Sequence, residues 1–197
     1  MKRIFDFSIS LVLLIIGSPV LIFIALAVYF SMGRPIFFKQ KRPGKNCKLF
    51  TLIKFRTMKV ISNTYCDQSS DKDRITKIGS FLRRTSLDEL PELLNVLSGE
   101  MSLVGPRPLL PEYLEKYDKE QIKRQTVRPG ITGWAQINGR NSIEWEEKFK
   151  LDLWYIENQS FFLDLKIIFK TFKIVFTQRG VNQNNKLSME KFNGNSN

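Results

Sequence analysis

Apolar and polar positions divide this chain into segments of unlike period. From Phe7 to Gly33 no charged residue occurs, and nearly every position is Leu, Ile, Val, Phe or Ala. As one straight helix that run would be about 40 Å long, enough to cross a hydrocarbon core of about 30 Å. It is too long for a secretory signal, and no small-x-small cleavage site follows it. Ser18-Pro19 falls near its middle, where proline removes an amide donor and serine can satisfy the freed backbone group. Each half would then span only about 18 Å, too short to cross. Lys2 and Arg3 precede the run, and Arg34, Lys39, Lys41, Arg42, Lys45 and Lys48 follow it. Two basic flanks satisfy the positive-inside rule best when both ends are cytoplasmic. The residues leave a kinked spanning helix and a re-entrant helix-break-helix open, and favour the second.

Beyond it, Pro35 to Arg42 and Lys48 to Phe55 read as two strands joined by the turn cluster Pro43-Gly44-Lys45-Asn46. Lys54 and Arg56 flank Phe55 and would share one strand face, either solvated or phosphate-binding. Residues 59–73 are polar and aperiodic, the pattern of a mobile surface loop. A short amphipathic helix over Ile75–Arg84 follows. Ser86 then stands three residues ahead of Glu89, with Leu90, Leu93, Leu94 and Leu97 at helical spacing after it. This capping-box signature predicts Asp88 and Glu89 in the first turn of a helix. Leu110–Arg124 reads as a charged surface helix. Phe161–Phe176 places Lys166, Lys170 and Lys173 on one stripe of an aromatic-rich helix, as in an interfacial helix; a core helix with a lysine edge would look similar. The tail from Asn182 is polar and reads as loose.

Composition narrows the chemistry. The 197 residues suit one core, and 31 Lys and Arg against 19 Asp and Glu give a net charge of +12. Such an excess implies an anionic partner: phosphates, nucleic acid or an anionic membrane. There is no histidine, which excludes Ser-His-Asp and Cys-His catalysis and histidine-based metal sites. Cys47 and Cys66 are too few for a disulfide framework or a four-cysteine zinc site, and fit a reduced compartment. Chemistry falls to Asp, Glu, Lys, Arg or a hydroxyl.

Asp88 and Glu89 are the leading candidates. At a helix start the dipole would keep both ionised, and two adjacent carboxylates suit a hard cation such as Mg²⁺; otherwise they only cap. Arg83 and Arg84, within a turn of them, would keep both deprotonated. In Gly105-Pro-Arg-Pro108 the prolines hold Arg107 extended, and a guanidinium held so grips phosphate bidentately at less ordering cost. The loop Val127–Asn141 carries three glycines among Thr132, Gln136, Asn138 and Arg140, as if amides and side-chain donors gathered around a ligand. Its pattern matches neither the dinucleotide fingerprint nor the P-loop.

Four motifs occur in order after the apolar segment: Lys54-Phe-Arg-Thr-Met58, Ser86-Leu-Asp-Glu-Leu-Pro91, Val104-Gly-Pro-Arg-Pro108 and Arg128-Pro-Gly-Ile-Thr-Gly-Trp-Ala-Gln136. Together they resemble the bacterial sugar transferase family, the small monotopic phosphoglycosyl transferases, over about residues 1–185. The resemblance implies transfer of a sugar phosphate from a UDP-sugar to undecaprenyl phosphate, with UMP released. It implies Asp88 as nucleophile with Glu89 beside it, and the anionic diphosphate chemistry calls for Mg²⁺ as cofactor at the paired carboxylates. The family arginines fall on Arg83 and Arg107 and its motif lysine on Lys54; the reading of the residues adds Arg56, Arg128, Thr132, Gln136, Asn138 and Arg140 as candidate phosphate or substrate contacts. It also implies the re-entrant arrangement, with the break at Ser18-Pro19.

Asn138-Gly-Arg-Asn141 and Glu190-Lys-Phe-Asn-Gly194 resemble the branch that initiates bacterial N-linked protein glycosylation, which implies UDP-N,N′-diacetylbacillosamine as donor. Other UDP-N-acetylhexosamines, for capsule, O-antigen or exopolysaccharide, are the alternative. Glu92 stands where many relatives carry glutamine, Trp134 stands where leucine is also found, and residues 59–73 diverge. The expected class is α+β: a re-entrant membrane hairpin over 1–33, then a small β-hairpin and a cytosolic helical catalytic domain with interfacial amphipathic helices over 34–185, then a flexible tail over 186–197. The expected location is the cytoplasmic face of the bacterial inner membrane, with a homo-oligomer compatible and no nucleic acid bound. The rivals are a membrane-anchored basic binding protein, against which no nucleic-acid motif is recognisable, and a non-catalytic scaffold.

Overall fold

The first helix, α1, runs from Lys2 to Met32 and carries Pro19 inside it. The computed structural model describes residues 1–60, 74–139, 143–177 and 192–194; Arg140, Asn141, most of the 59–73 loop and most of the tail lie outside them. Helical structure continues through Ser18-Pro19, so the expected break is not a loss of helix. Pro19 has no amide to give the carbonyl of Ile15, and the Ser18 hydroxyl donates to that same oxygen at 2.8 Å. α1 is long and apolar enough to cross a membrane by length and composition. Its middle, including Leu11, Ile15, Ile16, Ile22 and Phe23, is exposed. Such a surface suits lipid rather than water.

Both ends of α1 grip the rest of the protein. Near the start, Lys2 pairs with Asp164, the Arg3 guanidinium donates to the carbonyls of Val96 and Leu97, and Asp6 accepts a hydrogen bond from Ser102 at 2.7 Å. Near the other end, Ile24 and Val28 pack with Phe55 and Leu82.

Strands β1 (Phe37–Pro43) and β2 (Leu49–Phe55) form the expected antiparallel hairpin, with Phe38 opposite Lys54 and a 3₁₀ turn at Lys45–Cys47. Side chains alternate across β2. Phe50 and Leu52 enter the main core with Leu93, Val96 and Tyr155, whereas Phe55 packs on the α1 end. Lys54 shares the face of Phe50 and Leu52 and so points inward.

Helix α2 (Lys77–Thr85) is N-capped by Thr76, which accepts from the Gly79 amide at 3.0 Å. A 3₁₀ turn (Leu87–Glu89) leads into α3 (Glu92–Ser98). Here the capping-box expectation fails. Ser86 ends α2 in the left-handed conformation, φ 57°, and its side chain caps nothing. An N-cap needs an extended backbone, and this residue is committed to closing the previous helix. Asp88 and Glu89 therefore sit in a tight turn between two helices rather than at a helix start.

Strand β3 (Ser102–Val104) pairs in parallel with β4 (Gly130–Thr132). Between them, the expected surface helix over Leu110–Arg124 is instead two 3₁₀ segments, Pro111–Lys116 and Gln121–Thr126, with Tyr113, Gln121, Arg124 and Gln125 buried. Asp118 separates them, accepting from the amides of Glu120 and Gln121. Helices α4 (Trp134–Asn138), α5 (Trp145–Glu157) and α6 (Phe161–Thr177) complete the chain. On α6, Ile167 and Asp164 are buried while Phe162, Phe169 and Phe172 are exposed beside the expected lysine stripe. Residues 192–194, read from sequence as loose tail, are held: Phe192 is 3% exposed among Tyr113, Tyr117, Trp145 and Phe149.

Candidate active site

Turning Lys54 inward puts a cation under the Leu87–Glu89 turn, where it requires counter-charge. Its ammonium lies 2.9 Å from Oε1 of Glu89 and 3.1 Å from Oε1 of Glu92. The second contact is a charge pairing only, since that Glu92 oxygen has no hydrogen-bond partner. Asn95 sets the relation between β2 and α3: its side chain accepts from the Ile53 amide at 3.2 Å and donates to the Thr51 carbonyl at 2.8 Å. Arg107 donates from Nη2 to the same Oε1 of Glu89, and its side chain is 41% exposed. A half-buried carboxylate thus anchors two cations, one of them open to solvent.

The carboxyls differ sharply. Burial and the neighbouring Glu89 charge push Asp88 up to about 6, against the pull of Lys54, Arg107 and Arg83. Burial also opposes ionisation of Glu89, but the charges and hydrogen bonds of Arg107 and Lys54 hold it well below the usual carboxylate range. Burial raises Glu92 to about 7, with Lys54 opposing. The expectation that Arg83 and Arg84 hold both neighbours low is corrected twice: Arg107 and Lys54 hold Glu89 low instead, and on Asp88 burial outweighs the pull of Arg83. Arg83 is fixed by the Thr57 hydroxyl at 2.9 Å and by the Met58 sulfur.

Several expected ligand residues do other work. Arg56, 5% exposed, donates to the carbonyls of Met32, Gly33 and Arg34; it caps the end of α1 and is not on a phosphate-binding face. Arg128 donates to the Gly99 carbonyl at the end of α3. Thr132 shares a hydrogen bond with Thr171, and Asn138 bonds back to Trp134. The Gln136 amide is buried without a partner. The glycines serve close approach: a Cβ on Gly105 would fall 2.4 Å from the Arg128 carbonyl oxygen, and one on Gly130 would fall 2.1 Å from the Gly105 amide nitrogen. The loop over residues 128–133 therefore braces the Arg107 loop backbone to backbone. Arg140 and Asn141 lie outside the described residues, among which no group of three or more His, Cys, Asp or Glu could hold a metal.

The model of the family described as bacterial sugar transferase matches residues 1–178. The chain belongs to the bacterial sugar transferase family. The transferase is 50% identical over 194 residues to an uncharacterized sugar transferase of Bacillus subtilis, EpsL, covering 98% of this chain and 96% of that one. It is 45% identical over 181 residues to the UDP-glucose:undecaprenyl-phosphate glucose-1-phosphate transferase of Escherichia coli, covering 87% of this chain and 39% of that one. It is 38% identical over 197 residues to the undecaprenyl-phosphate galactose phosphotransferase of Salmonella typhimurium, covering 91% of this chain and 41% of that one. The transferase therefore spans about two fifths of these last two relatives. Sequence reasoning missed one buried ion pair of the transferase, Arg124 with Asp152 at 2.6 Å. The signal was an arginine in a segment whose tyrosines recur at short spacing, which reads equally well as solvated surface.

Proposed function

We propose that this enzyme transfers a sugar 1-phosphate from a UDP-sugar to undecaprenyl phosphate and releases UMP, with Asp88 as the nucleophile. The observation that carries the reading is the split between Asp88 and Glu89. A carboxylate nucleophile must be ionised yet weakly neutralised; Asp88, raised to about 6, is that group. Glu89 is bound to Lys54 and Arg107 and serves as their anchor. An Asp88 oxygen attacks the sugar-proximal phosphorus, the bond from that phosphorus to the bridging oxygen breaks, and UMP leaves with it. An oxygen of the lipid phosphate then attacks the acyl phosphate, which forms the lipid diphosphate and restores the carboxylate. No proton is gained or lost overall.

Arg107, half exposed, swings from Glu89 to the diphosphate, while Lys54 stays beneath. Mg²⁺ fits the donor chemistry: Asp88 and Glu89 would hold it together with phosphate oxygens, since Lys54 and Arg107 both engage a single Glu89 oxygen. When bound it would offset charge on the diphosphate. Contacts at both ends of α1, with an exposed apolar middle, support a re-entrant helix whose termini share the cytoplasmic face. A straight helix of about 46 Å crossing the bilayer would carry one end away from the globular part.

Different observations favour different sugars. The tail resemblance favours UDP-N,N′-diacetylbacillosamine, whereas Phe192 of that motif is used in packing. The relatives whose names state a sugar act on glucose or galactose. The test is UMP release in detergent from a panel of UDP-N,N′-diacetylbacillosamine, UDP-glucose, UDP-galactose and UDP-N-acetylhexosamines, with and without undecaprenyl phosphate. Acceptor-dependent release with one donor is expected. No release with any donor would overturn the reading.

A further inference from the structure

We infer that Arg124 and Asp152 are a positioning pair for the Arg107 guanidinium; this rests on the reading of Arg107 as a diphosphate ligand. The three carbonyls of Pro106-Arg-Pro108 each receive a donor from a different element. Gly130 N donates to Pro106 O at 3.0 Å, Arg124 Nη2 to Arg107 O at 2.9 Å, and Arg42 Nη1 to Pro108 O at 3.4 Å. Two prolines supply no amide of their own, so the loop is held largely by what reaches it from outside. The donor on the functional residue itself is Arg124.

Arg124 is 3% exposed and Asp152 2%. Arg124 also donates to the Tyr117 hydroxyl at 3.0 Å, and its guanidinium lies over the rings of Tyr117 and Phe149 at 5.8 and 5.5 Å. Both Nη atoms are thereby engaged while Nε is buried without a partner, and the direction of the guanidinium toward the Arg107 carbonyl is set by Asp152 on α5. A buried ion pair is a poor source of stability, because desolvation offsets the attraction and apolar residues of like volume do as well. Its value here is direction. A guanidinium must meet phosphate within tenths of an ångström, and small displacements of supporting residues lose that geometry.

The test is a double-mutant cycle on UDP binding, measured calorimetrically on the full chain in detergent with Mg²⁺ present. UDP carries the diphosphate common to every candidate donor. Asp152→Asn and Arg124→Lys should each weaken UDP binding about tenfold in the wild-type background, and less than about twofold when Arg107 is already Ala. Equal losses in both backgrounds would mean a general structural role and overturn the inference. Should Asp152→Asn fail to fold, Tyr117→Phe removes one bond to Arg124 and keeps the ion pair; its weakening should likewise disappear in the Arg107→Ala background, and persistence there overturns the inference. Unchanged UDP affinity in Arg107→Ala alone would instead sink the diphosphate role of Arg107, a failure separable from an additive cycle.

Discussion

Asp88 and Glu89 are neighbours in the chain and titrate in opposite directions. Asp88 is raised to about 6 by burial and by the charge of Glu89. Glu89 is held low by Arg107 and Lys54, which meet on its Oε1. One turn thus holds two carboxyls shifted in opposite directions within a residue of each other.

Replacing Asp88 with Asn should abolish turnover, because an amide cannot form the acyl phosphate. It should also stabilise the protein. The folded pKa, about 6, lies above the ordinary aspartate value of 3.8, so the folded state holds the proton more tightly and the ionised form opposes folding. The gain on removing that charge is on the order of 2 kcal/mol above pH 6, shrinks between pH 6 and pH 4, and is absent below about pH 4, where both folded and unfolded wild type are neutral. Thermal melts at pH 4 and pH 8, with mass spectrometry for a phosphosugar adduct on the Asp88 peptide, check both halves. Robust turnover by the variant would end the nucleophile reading.

Wild-type kcat/KM for the UDP-sugar should rise with pH through about 6 and level off above 7, since only ionised Asp88 attacks. In Glu89→Gln the residual activity should show this limb at lower pH. The variant loses a charge that raises Asp88 and leaves Lys54 and Arg107 unneutralised. A limb that stays put in the variant would show that another group titrates.

Arg107→Lys preserves the charge and loses the fork. Activity should fall at least about tenfold, or 1.4 kcal/mol of transition-state stabilisation. Wild-type turnover by this variant would demote Arg107 to a structural role.

Arg56→Ala separates a helix cap from a phosphate ligand. Three carbonyls around the end of α1 lose their donor, which should cost about 2 kcal/mol of stability with little change in UDP affinity. A variant of normal stability that binds UDP poorly would restore Arg56 to the site.

The α1 arrangement is open to labelling. In a Cys47→Ser, Cys66→Ser background, a cysteine tag added at the N-terminus and a cysteine at Lys48 should both resist an impermeant maleimide outside intact cells and react in inverted vesicles. Replacing Ser18-Pro19 with Ala-Ala should restore the Ile15 hydrogen bond from the chain and favour spanning. An N-terminus labelled only from outside wild-type cells would refute the re-entrant reading.

Sequence by itself determined what short-range physics controls. The turn cluster at Pro43–Asn46 and the flanking strands make the β1–β2 hairpin, periodicity makes α2 and α6, and the uncharged run makes α1. The motif positions brought Lys54, Asp88, Glu89 and Arg107 forward as a group. Tertiary structure decided how each cation is used. Lys54 meets Glu89, while Arg56, two residues on, caps α1; Arg3 and Arg128 cap the end of α3. All are basic residues beside apolar ones, and nothing local distinguishes a phosphate ligand from a cap, because the partner is a carbonyl or carboxylate brought in from far along the chain. Ser86 shows the same limit: its capping-box pattern was overruled once the end of α2 required a left-handed residue there. Burial likewise divided Asp88 from Glu89, since desolvation and paired charge are properties of the packed turn.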